Sequence, residues 1–236
     1  MAKVNLVIPI YNNWEMTHTQ LWNLYRKEKE NIDYLLVVDD CSPDEDVQQG
    51  LKWWRAEWKE KADPLPIFTY TSPKNVGFLL SSNEAIQVIS GDDEAEPDDI
   101  IILLSSDVLI HGQFIEQIRE ILSAPHKSLV GGILYSHDTG WNKFGDRIYP
   151  YLEGWLLATT VSNWKELGYF DEQFAPCIFE DVDLSATAQS LGYELVPLNN
   201  PALHHLSGQT IKYTKERDTL TKINQEKFRL KWIKEN

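Results

Sequence analysis

The sequence predicts an α/β fold, in which an open, mostly parallel twisted sheet carries helices on both faces. Short runs of large apolar residues alternate with longer segments that have apolar residues at helical spacing, and this alternation is typical of parallel sheets. The runs at 34–40 and 100–104 are apolar almost throughout, as expected of strands buried on both faces. At 236 residues, the chain is long enough to bury a substantial core.

The first half of the chain alternates regularly between strand and helix patterns. Strands are predicted at 4–10, 34–40, 66–71 and 99–107. Helices are predicted at 14–28, after Ser42, within 75–90 and at 113–123. The second of these helices has a predicted start signal. Ser42 is its expected N-cap, Pro43 its first helical position and Glu45 the residue that completes a capping box. The acidic run 91–99 is expected to be a solvated surface loop.

The second half is less regular. A fifth strand is predicted at 128–136, and a loop-rich insertion with aromatic residues follows at 137–154. The remaining patterns predict a strand at 154–160, a short helix ending near Gly168, a helix and a strand within 180–198, and an amphipathic helix from Lys215. No linker divides the chain, so we expect one domain over 1–236.

The charge and the cysteine content indicate which partners and which cellular compartment to expect. The net charge of −14 disfavours non-specific binding to nucleic acids and to anionic membranes. Cys41 and Cys177 make no disulfide framework, so a reducing compartment is expected. No apolar stretch reaches the roughly 18–20 residues that span a bilayer. We therefore expect no transmembrane segment and a cytoplasmic location, with peripheral membrane contact as the open alternative.

Polar residues follow the predicted strands of the first half. Ligands of open α/β sheets bind beyond the carboxyl ends of the strands, so these residues are expected to share one rim. Each has a structural alternative as a turn or helix-capping residue, and their agreement in position favours a binding site. They are Pro9, Tyr11 and Asn12 after the first strand, Asp39 and Asp40 after the second, Asn75 and Gly77 after the third, and Ser105, Ser106 and Asp107 at the fourth.

Two later stretches also carry chemistry. FEDVDL places Glu180, Asp181 and Asp183 at or near a helix start, where carboxylates either serve as bases or simply complement the helix dipole. ALHHLSGQT places His204 and His205 after a strand, and neutral imidazole is a good ligand for a divalent metal. Two ordinary surface histidines would give the same pattern.

Six segments occur in a recognisable order: VIPIYNN, VVDDCSPD, NVGFLLSSNEAI, LLSSDV, GYFDEQFAPCIFEDVDLSATAQSLGYEL and HHLSGQT. In this order they resemble the family 2 glycosyltransferases with the GT-A fold, and GYFDEQF with FEDVDL is the most specific part. The resemblance covers about Val4 to Thr210. The tail NQEKFRLKW is similar to the closing helix of the rhamnosyltransferase-like branch.

The resemblance implies an inverting glycosyltransferase of the hexosyltransferase type, as in polysaccharide biosynthesis. Its donor would be a UDP- or TDP-linked sugar, and its acceptor a glycan or another hydroxyl compound. A Rossmann-like nucleotide-sugar-binding half would span 1–110, an acceptor and catalytic half 111–210, and a C-terminal helix 211–236. The implied donor contacts are Pro9, Tyr11, Asn12, Asp39, Asn75, Gly77, Asn83, Ser106 and Gly154.

The resemblance also implies a metal site for Mn²⁺ or Mg²⁺. Asp107 matches the last Asp of the family's Asp-x-Asp motif, whereas Ser105 stands where the first Asp would be. The departure removes one contact to the donor ribose or the metal, so the metal would depend more on phosphate, water and a histidine. The spacing to Gly208 and Thr210 favours His205, with His204 as the alternative.

For the reaction itself, the resemblance makes Asp181 the general base and Glu180 the residue that orients the acceptor or the base. Deprotonation of the acceptor hydroxyl by a positioned carboxylate typically contributes ~10²–10⁴-fold. Trp141, Trp155 and Glu180 are the expected acceptor contacts. Sugar faces pack well on aromatic rings, and the alternative for the two tryptophans is that they fill the core.

Other classes remain as alternatives. A catalytically inactive GT-A-fold protein that binds carbohydrate or nucleotide would also fit, and Ser105 is the feature that favours it. A nucleotidyltransferase would need a Gly-rich basic loop after the first strand, and PIYNNWEMT has neither glycine nor a basic residue. No G-x-G-x-x-G follows a strand, which argues against a dinucleotide-binding dehydrogenase. The Trp-rich helix and the C-terminal helix could each form the interface of a homodimer or simply pack on the sheet.

Overall fold

The computed structural model describes residues 2–59, 65–207 and 215–233. The strands are β1 (Val4–Ile10), β2 (Tyr34–Asp39), β3 (Ile67–Thr71), β4 (Ile100–Leu104), β5 (Val108–Ile110), β6 (Ser128–Gly131), β7 (Leu134–Tyr135), β8 (Lys143–Phe144), β9 (Arg147–Ile148), β10 (Tyr151–Leu152), β11 (Leu156–Thr160), β12 (Glu194–Pro197) and β13 (Leu203–His205). The α-helices are α1 (Trp14–Glu28), α2 (Glu45–Lys59), α3 (Phe78–Ser90), α4 (Ile115–Leu122), α5 (Val161–Leu167), α6 (Glu180–Ser190) and α7 (Lys215–Trp232).

The central sheet has the strand order β12-β6-β11-β4-β1-β2-β3. Neighbouring strands run parallel, except that β11 is antiparallel to both β4 and β6. Helices α1, α2 and α4 pack on one face, and α3, α5, α6 and α7 pack on the other. The prediction of an open, mostly parallel α/β sheet is therefore confirmed.

Alternation along the strands divides the core between the two faces. In β1, Leu6 and Ile8 pack with α1 and α2, whereas Val7 packs with α3. All residues of β1 and β4 are buried, because both faces of these strands are covered by helices. This burial explains why their sequences are apolar almost throughout.

Two short strands connect distant parts of the chain. β5 pairs antiparallel with β13 outside the central sheet, with His205 opposite Val108. The run predicted as one strand over 99–107 therefore ends as a strand at Leu104, and residues 105–107 form a turn before β5. The strand is interrupted because β5 pairs with β13 instead of extending the central sheet.

Helix α2 begins at Glu45, so the predicted cap at Ser42 is wrong. The N–H and Oγ of Ser42 donate instead to Asp39 Oδ1, at 3.0 and 2.5 Å, and this draws Ser42 back toward the end of β2. Asp44 takes the capping position, since its Oδ1 accepts the N–H of Asp46 at 2.9 Å.

The C-terminal helix α7 lies against the segment that leads into α6. Phe228 is fully buried on this face of the sheet, where its ring is 5.8 Å from that of Phe179. Lys231 and Trp232 both donate to the buried carboxylate of Asp183, at 2.8 and 2.7 Å. Among the helices within the described ranges, none is long and apolar enough to cross a membrane.

Candidate active site

A cleft of about 430 Å³ opens at the carboxyl ends of β1, β2 and β4. Side chains and backbone from both halves of the chain line it. The site residues predicted from the sequence that line this cleft are Pro9, Tyr11, Asn75, Gly77, Ser106, Asp107, Gly154, Trp155, Glu180, Asp181 and His205. Strand ends that the sequence placed on one rim thus meet Glu180 and Asp181 of the FEDVDL segment, and also His205, in one cavity.

Asp107 and His205 meet in this cleft. The pairing of β5 with β13 brings them together from positions almost a hundred residues apart. His205 Nε2 lies 3.3 Å from Asp107 Oδ1, and its other ring nitrogen, Nδ1, lies 3.2 Å from Ser207 Oγ. Gly208 and Thr210, which guided the choice of His205 in the sequence, lie outside the described residues.

Ser105 supports Asp107 directly. Its Oγ donates a hydrogen bond of 2.6 Å to Asp107 Oδ1. Burial raises the pKa of Asp107, but hydrogen bonds from His205 and Ser105 outweigh burial and hold that pKa below its usual value. Asp107 is therefore an anionic carboxylate at neutral pH, which is the state that a cation ligand requires.

Trp155 and Glu153 form the wall beside His205. The rings of Trp155 and His205 are stacked, with centroids 5.4 Å apart and planes at 23°. Trp155 Nε1 donates to Glu153 Oε2 at 3.0 Å, and Glu153 Oε1 is 3.9 Å from His205 Nδ1. The stacking and the neighbouring carboxylate restrict the orientation of the imidazole.

Asp181 is held from two sides at the start of α6. Its Oδ2 accepts the N–H of Gly154 at 3.1 Å, and its Oδ1 accepts the N–H of Val182 at 2.8 Å. A Cβ on Gly154 would lie 3.2 Å from Asp181 Cβ, so this close approach favours glycine. Burial raises the pKa of Asp181 despite these two hydrogen bonds, and the charge of Glu153 adds to the rise.

Glu180 is almost fully buried beside Asp181. Its Oε2 has no hydrogen-bond partner among the residues that the structure describes. Burial, followed by the charge of Asp181, raises the pKa of Glu180. The two adjacent carboxyl groups therefore titrate above the range of ordinary carboxylic acids, as expected of acid–base groups in a cleft.

Asp40, rather than Asp39, reaches the cleft from the end of β2. The backbone N–H groups of Val76 and Gly77 each donate to its carboxylate at 2.8 Å, while burial raises its pKa. Gly77 has φ +88°, and a Cβ there would lie 2.4 Å from Pro176 Cβ. The Asn-x-Gly turn is thereby fixed between the end of β2 and Pro176.

Three predicted donor contacts lie outside the lining of this cleft. Asp39 is fully buried, with its carboxylate bonded to Ser42 and, at 2.5 Å, to Gln48. Both polar atoms of the Asn83 side chain bond to the backbone of Phe170, which ties α3 to the segment before α6. Asn12 donates its backbone N–H to Ser42 Oγ, and the donor contacts of all three residues stay predictions.

Trp141 and His204 also lie away from the cleft. Trp141 is an exposed residue of the 137–154 insertion. His204 lines a neighbouring cavity of about 390 Å³, and His205 lines both that cavity and the cleft. Because His205, and not His204, lines the cleft and lies 3.3 Å from Asp107 Oδ1, the geometry favours His205 as the partner of that carboxylate.

Sequence reasoning missed several residues that line the cleft. Glu153 precedes β11, and only the antiparallel direction of β11 brings it to the end of β4. Arg217 of α7 lies beside the buried thiol of Cys177 in the same wall. Burial and the charge of Glu180 raise the pKa of that thiol to about 12. No local pattern marks these residues, since each arrives through long-range packing.

Comparison with known proteins identifies similar chains. The family described as Glycosyl transferase family 2 matches residues 5–182. No curated protein matches the chain. Among solved structures, a mannosyltransferase from Pyrobaculum calidifontis, PcManGT, in complex with GDP-Man and Mn²⁺, is 18% identical with a TM-score of 0.59, covering 83% of this chain and 54% of that chain.

Two further solved structures have the same fold at low identity. GalNAc-T7 with UDP, GalNAc and Mn²⁺ is 12% identical with a TM-score of 0.67, covering 87% of this chain and 44% of that chain. S. aureus TarS is 17% identical with a TM-score of 0.60, covering 87% and 37%. The chain thus spans about half or less of these proteins, and the likenesses confirm the predicted GT-A fold.

Proposed function

The chain belongs to glycosyl transferase family 2, and we propose that it is an inverting glycosyltransferase that moves a sugar from a nucleoside-diphosphate donor to a hydroxyl group. The observation that carries this proposal is the meeting of Asp107 and His205 with Glu180 and Asp181 in one cleft. Asp107 and His205 could hold a cation that binds the diphosphate of a donor. Glu180 and Asp181 could bind and deprotonate the hydroxyl of an acceptor.

A nucleoside-diphosphate sugar and a divalent cation are supported by two of the structural neighbours, which hold GDP-Man or UDP together with Mn²⁺. We propose a UDP- or TDP-linked hexose as donor and Mn²⁺ or Mg²⁺ as cation. A glycan or another hydroxyl compound is proposed as acceptor. Membership of the rhamnosyltransferase-like branch, one domain over 1–236, a cytoplasmic location and a homodimer stay proposals.

Asp107 and His205 are the residues that would hold the cation. The described residues contain no group of three or more His, Cys, Asp or Glu side chains that could bind a metal ion. An anionic carboxylate beside an imidazole nevertheless fits a cation whose remaining ligands are phosphate and water oxygens. When bound, the cation would act as a Lewis acid that stabilises the negative charge of the departing nucleoside diphosphate.

Asp181 is proposed to take the proton from the acceptor hydroxyl. Its raised pKa makes it a stronger base than an ordinary carboxylate, and Gly154 and Val182 fix the direction of its oxygens. Glu180, which lines the cleft beside Asp181, is proposed to orient the acceptor or the base itself. One displacement on the face opposite the leaving group would invert the anomeric carbon, without a covalent intermediate.

A donor screen tests this proposal. UDP-, TDP- and GDP-sugars are added with Mn²⁺, and the melting temperature, donor hydrolysis and transfer to glycan acceptors are measured. A subset of donors is expected to raise the melting temperature and to turn over, and Asp107→Asn is expected to abolish turnover. Asp146→Asn, on an exposed loop, is the matched control. Binding without any turnover would favour the inactive binding protein, and no binding at all would contradict the proposal.

A further inference from the structure

The turn that leads into α6 has an unfavourable backbone. Ile178 and Phe179 have φ of +74° and +77°, although neither is glycine and Ile178 is β-branched. Each such residue costs about 1–3 kcal/mol and persists only where surrounding contacts hold it. Glu180 and Asp181 follow at once, so the direction of this turn decides where both carboxylates lie.

Asn224 of α7 holds this turn. Its side chain is fully buried, and its Nδ2 lies within hydrogen-bonding distance of three backbone carbonyls, so that one of its two hydrogens is shared. Their distances are 3.0 Å for Phe174, 3.0 Å for Cys177 and 2.8 Å for Ile178. One amide group therefore satisfies the polar backbone over the last residues before Glu180, where an unpaired buried carbonyl would be costly.

Lys227, one helical turn later, completes the contact. Its Nζ donates to Asn224 Oδ1 at 3.0 Å and to the carbonyl of Gln173 at 2.5 Å. The amide of Asn224 is thus fixed from its oxygen side, which leaves its NH₂ directed at the turn. Phe228 adds a ring contact with Phe179 on the same helix face.

We propose that Asn224 is a positioning residue, which sets the placement of Glu180 and Asp181 in the cleft by holding the turn before them. This inference rests on the proposed function, because the two carboxylates matter as the acid–base pair of that reaction.

Cys177 supplies a readout that needs no substrate. Its carbonyl is one of the three that Asn224 holds, and its thiol is buried in the cleft wall with a raised pKa. In a Cys41→Ser background, the rate of Cys177 labelling by a thiol reagent therefore reports how often the turn opens.

The test compares Asn224→Leu with three other variants, all measured well below their melting temperatures. Lys227→Met loosens the same contact and serves where Asn224→Leu fails to fold. Lys222→Met makes the same substitution on an exposed position of α7. Ile118→Ala lowers stability from the opposite face of the sheet, and thereby separates local loosening from general destabilisation.

We expect Asn224→Leu to speed Cys177 labelling by about tenfold and to lower kcat by about 10–100-fold, since small misplacements of reacting groups are costly. The Kd of the donor is expected to stay within about threefold, because the misplaced groups act on the acceptor side. Lys227→Met is expected to change labelling and kcat in the same direction by smaller factors. Lys222→Met is expected to change neither.

Unchanged labelling and kcat in a folded Asn224→Leu variant would overturn the inference. So would changes no larger than those of an Ile118→Ala variant with a similar loss of melting temperature. Failure of the proposed function is seen separately, as a wild-type protein that turns over no donor. In that case faster labelling of Cys177 still supports, and unchanged labelling still overturns, the holding of the turn by Asn224.

Discussion

Ser105 Oγ lies 2.6 Å from Asp107 Oδ1 and donates a hydrogen bond to it. In the family pattern that the chain resembles, a second carboxylate would stand at position 105. The hydroxyl instead strengthens the anionic form of the remaining carboxylate, together with His205. Ser105 thus supports the carboxylate of Asp107 rather than leaving it isolated.

Ser105→Ala removes this support. Hydrogen bonds to charged groups contribute about 1.5–3 kcal/mol, and we expect Mn²⁺ affinity to fall by about tenfold, as for other residues that support a metal ligand. Calorimetric titration with Mn²⁺ in the presence of the best-bound nucleotide measures this. The same substitution at exposed Ser136 is the control, and equal affinity in the two variants would refute the role of Ser105.

Substitutions around Asp181 separate chemistry from binding. Asp181→Asn is expected to lower kcat by about 10²–10⁴-fold with little change in donor Kd, because it removes the base. Gly154→Ala places a Cβ 3.2 Å from Asp181 Cβ, so it is expected to displace the carboxylate and lower kcat less. Steady-state kinetics and donor binding by calorimetry measure both effects. An Asp181→Asn enzyme with wild-type kcat would assign the base elsewhere.

The pH dependence of the rate follows from the raised carboxyl pKa values. The base must be deprotonated, so kcat is expected to rise with pH through a midpoint above the ordinary range of carboxylic acids near ~4. Glu180 and Asp181 interact, so the midpoint belongs to the pair. A pH–rate profile with its acid limb at ~4 would contradict this expectation.

The raised pKa of Glu180 also makes the stability of the fold depend on pH. Whereas kcat is expected to rise with pH, the contribution of this group to the free energy of unfolding falls. The folded state holds the Glu180 proton more tightly than the unfolded state, so this group's contribution is favourable at low pH and is lost as pH rises through the folded pKa. Glu180→Gln keeps the shape and removes the buried charge. We expect it to raise the melting temperature at pH 8–9 but not at pH ~4, as measured by calorimetry. A uniform loss at both pH values would count against it.

Gly77 is expected to tolerate no side chain. Gly77→Ala combines an unfavourable backbone at φ +88° and ψ 165° with a Cβ only 2.4 Å from Pro176 Cβ, so we expect a loss of about 3–5 kcal/mol. At Gly140, also at positive φ, a Cβ would meet nothing within 4 Å. Gly140→Ala therefore isolates backbone strain, about 1–2 kcal/mol. Urea denaturation measures the difference, and equal losses would show that the contact with Pro176 is unimportant.

Local patterns predicted the parts of the molecule that depend on local order. The buried strands β1, β2 and β4 and the helices α1 and α3 could be read from apolar periodicity, and Asp107 from its place after a buried run. Helix α6 could be read from the carboxylates at its start and the glycine after its end. The start of α2 could not, because Ser42 is engaged by Asp39 rather than by the helix. Where a side chain has two possible hydrogen-bond partners, tertiary packing decides which bond forms, and a local pattern does not show it.

The site was harder to predict wherever the chain reverses direction. Because β11 runs antiparallel to β4, Leu156 lies opposite Leu104, and the residues before β11 reach the carboxyl end of β4. If β11 ran parallel to β4, Glu153 would instead lie near the amino end of β4, away from the cleft. The separation of Asp39 from Asp40 is likewise a matter of one residue at the strand end, which periodicity does not resolve.

The pairing of β7 with β10 fixes both ends of the aromatic insertion. Leu134 opposite Leu152 and Tyr135 opposite Tyr151 close the neck of the loop between them, just before Glu153 enters the cleft. Closing a longer loop costs little once its ends are held. Exposed positions of the insertion, such as Trp141, can therefore vary with little effect on the cleft. Asn142 and Tyr149 are buried and Phe144 stacks on Phe228, so these residues hold the insertion on the core and have to be kept.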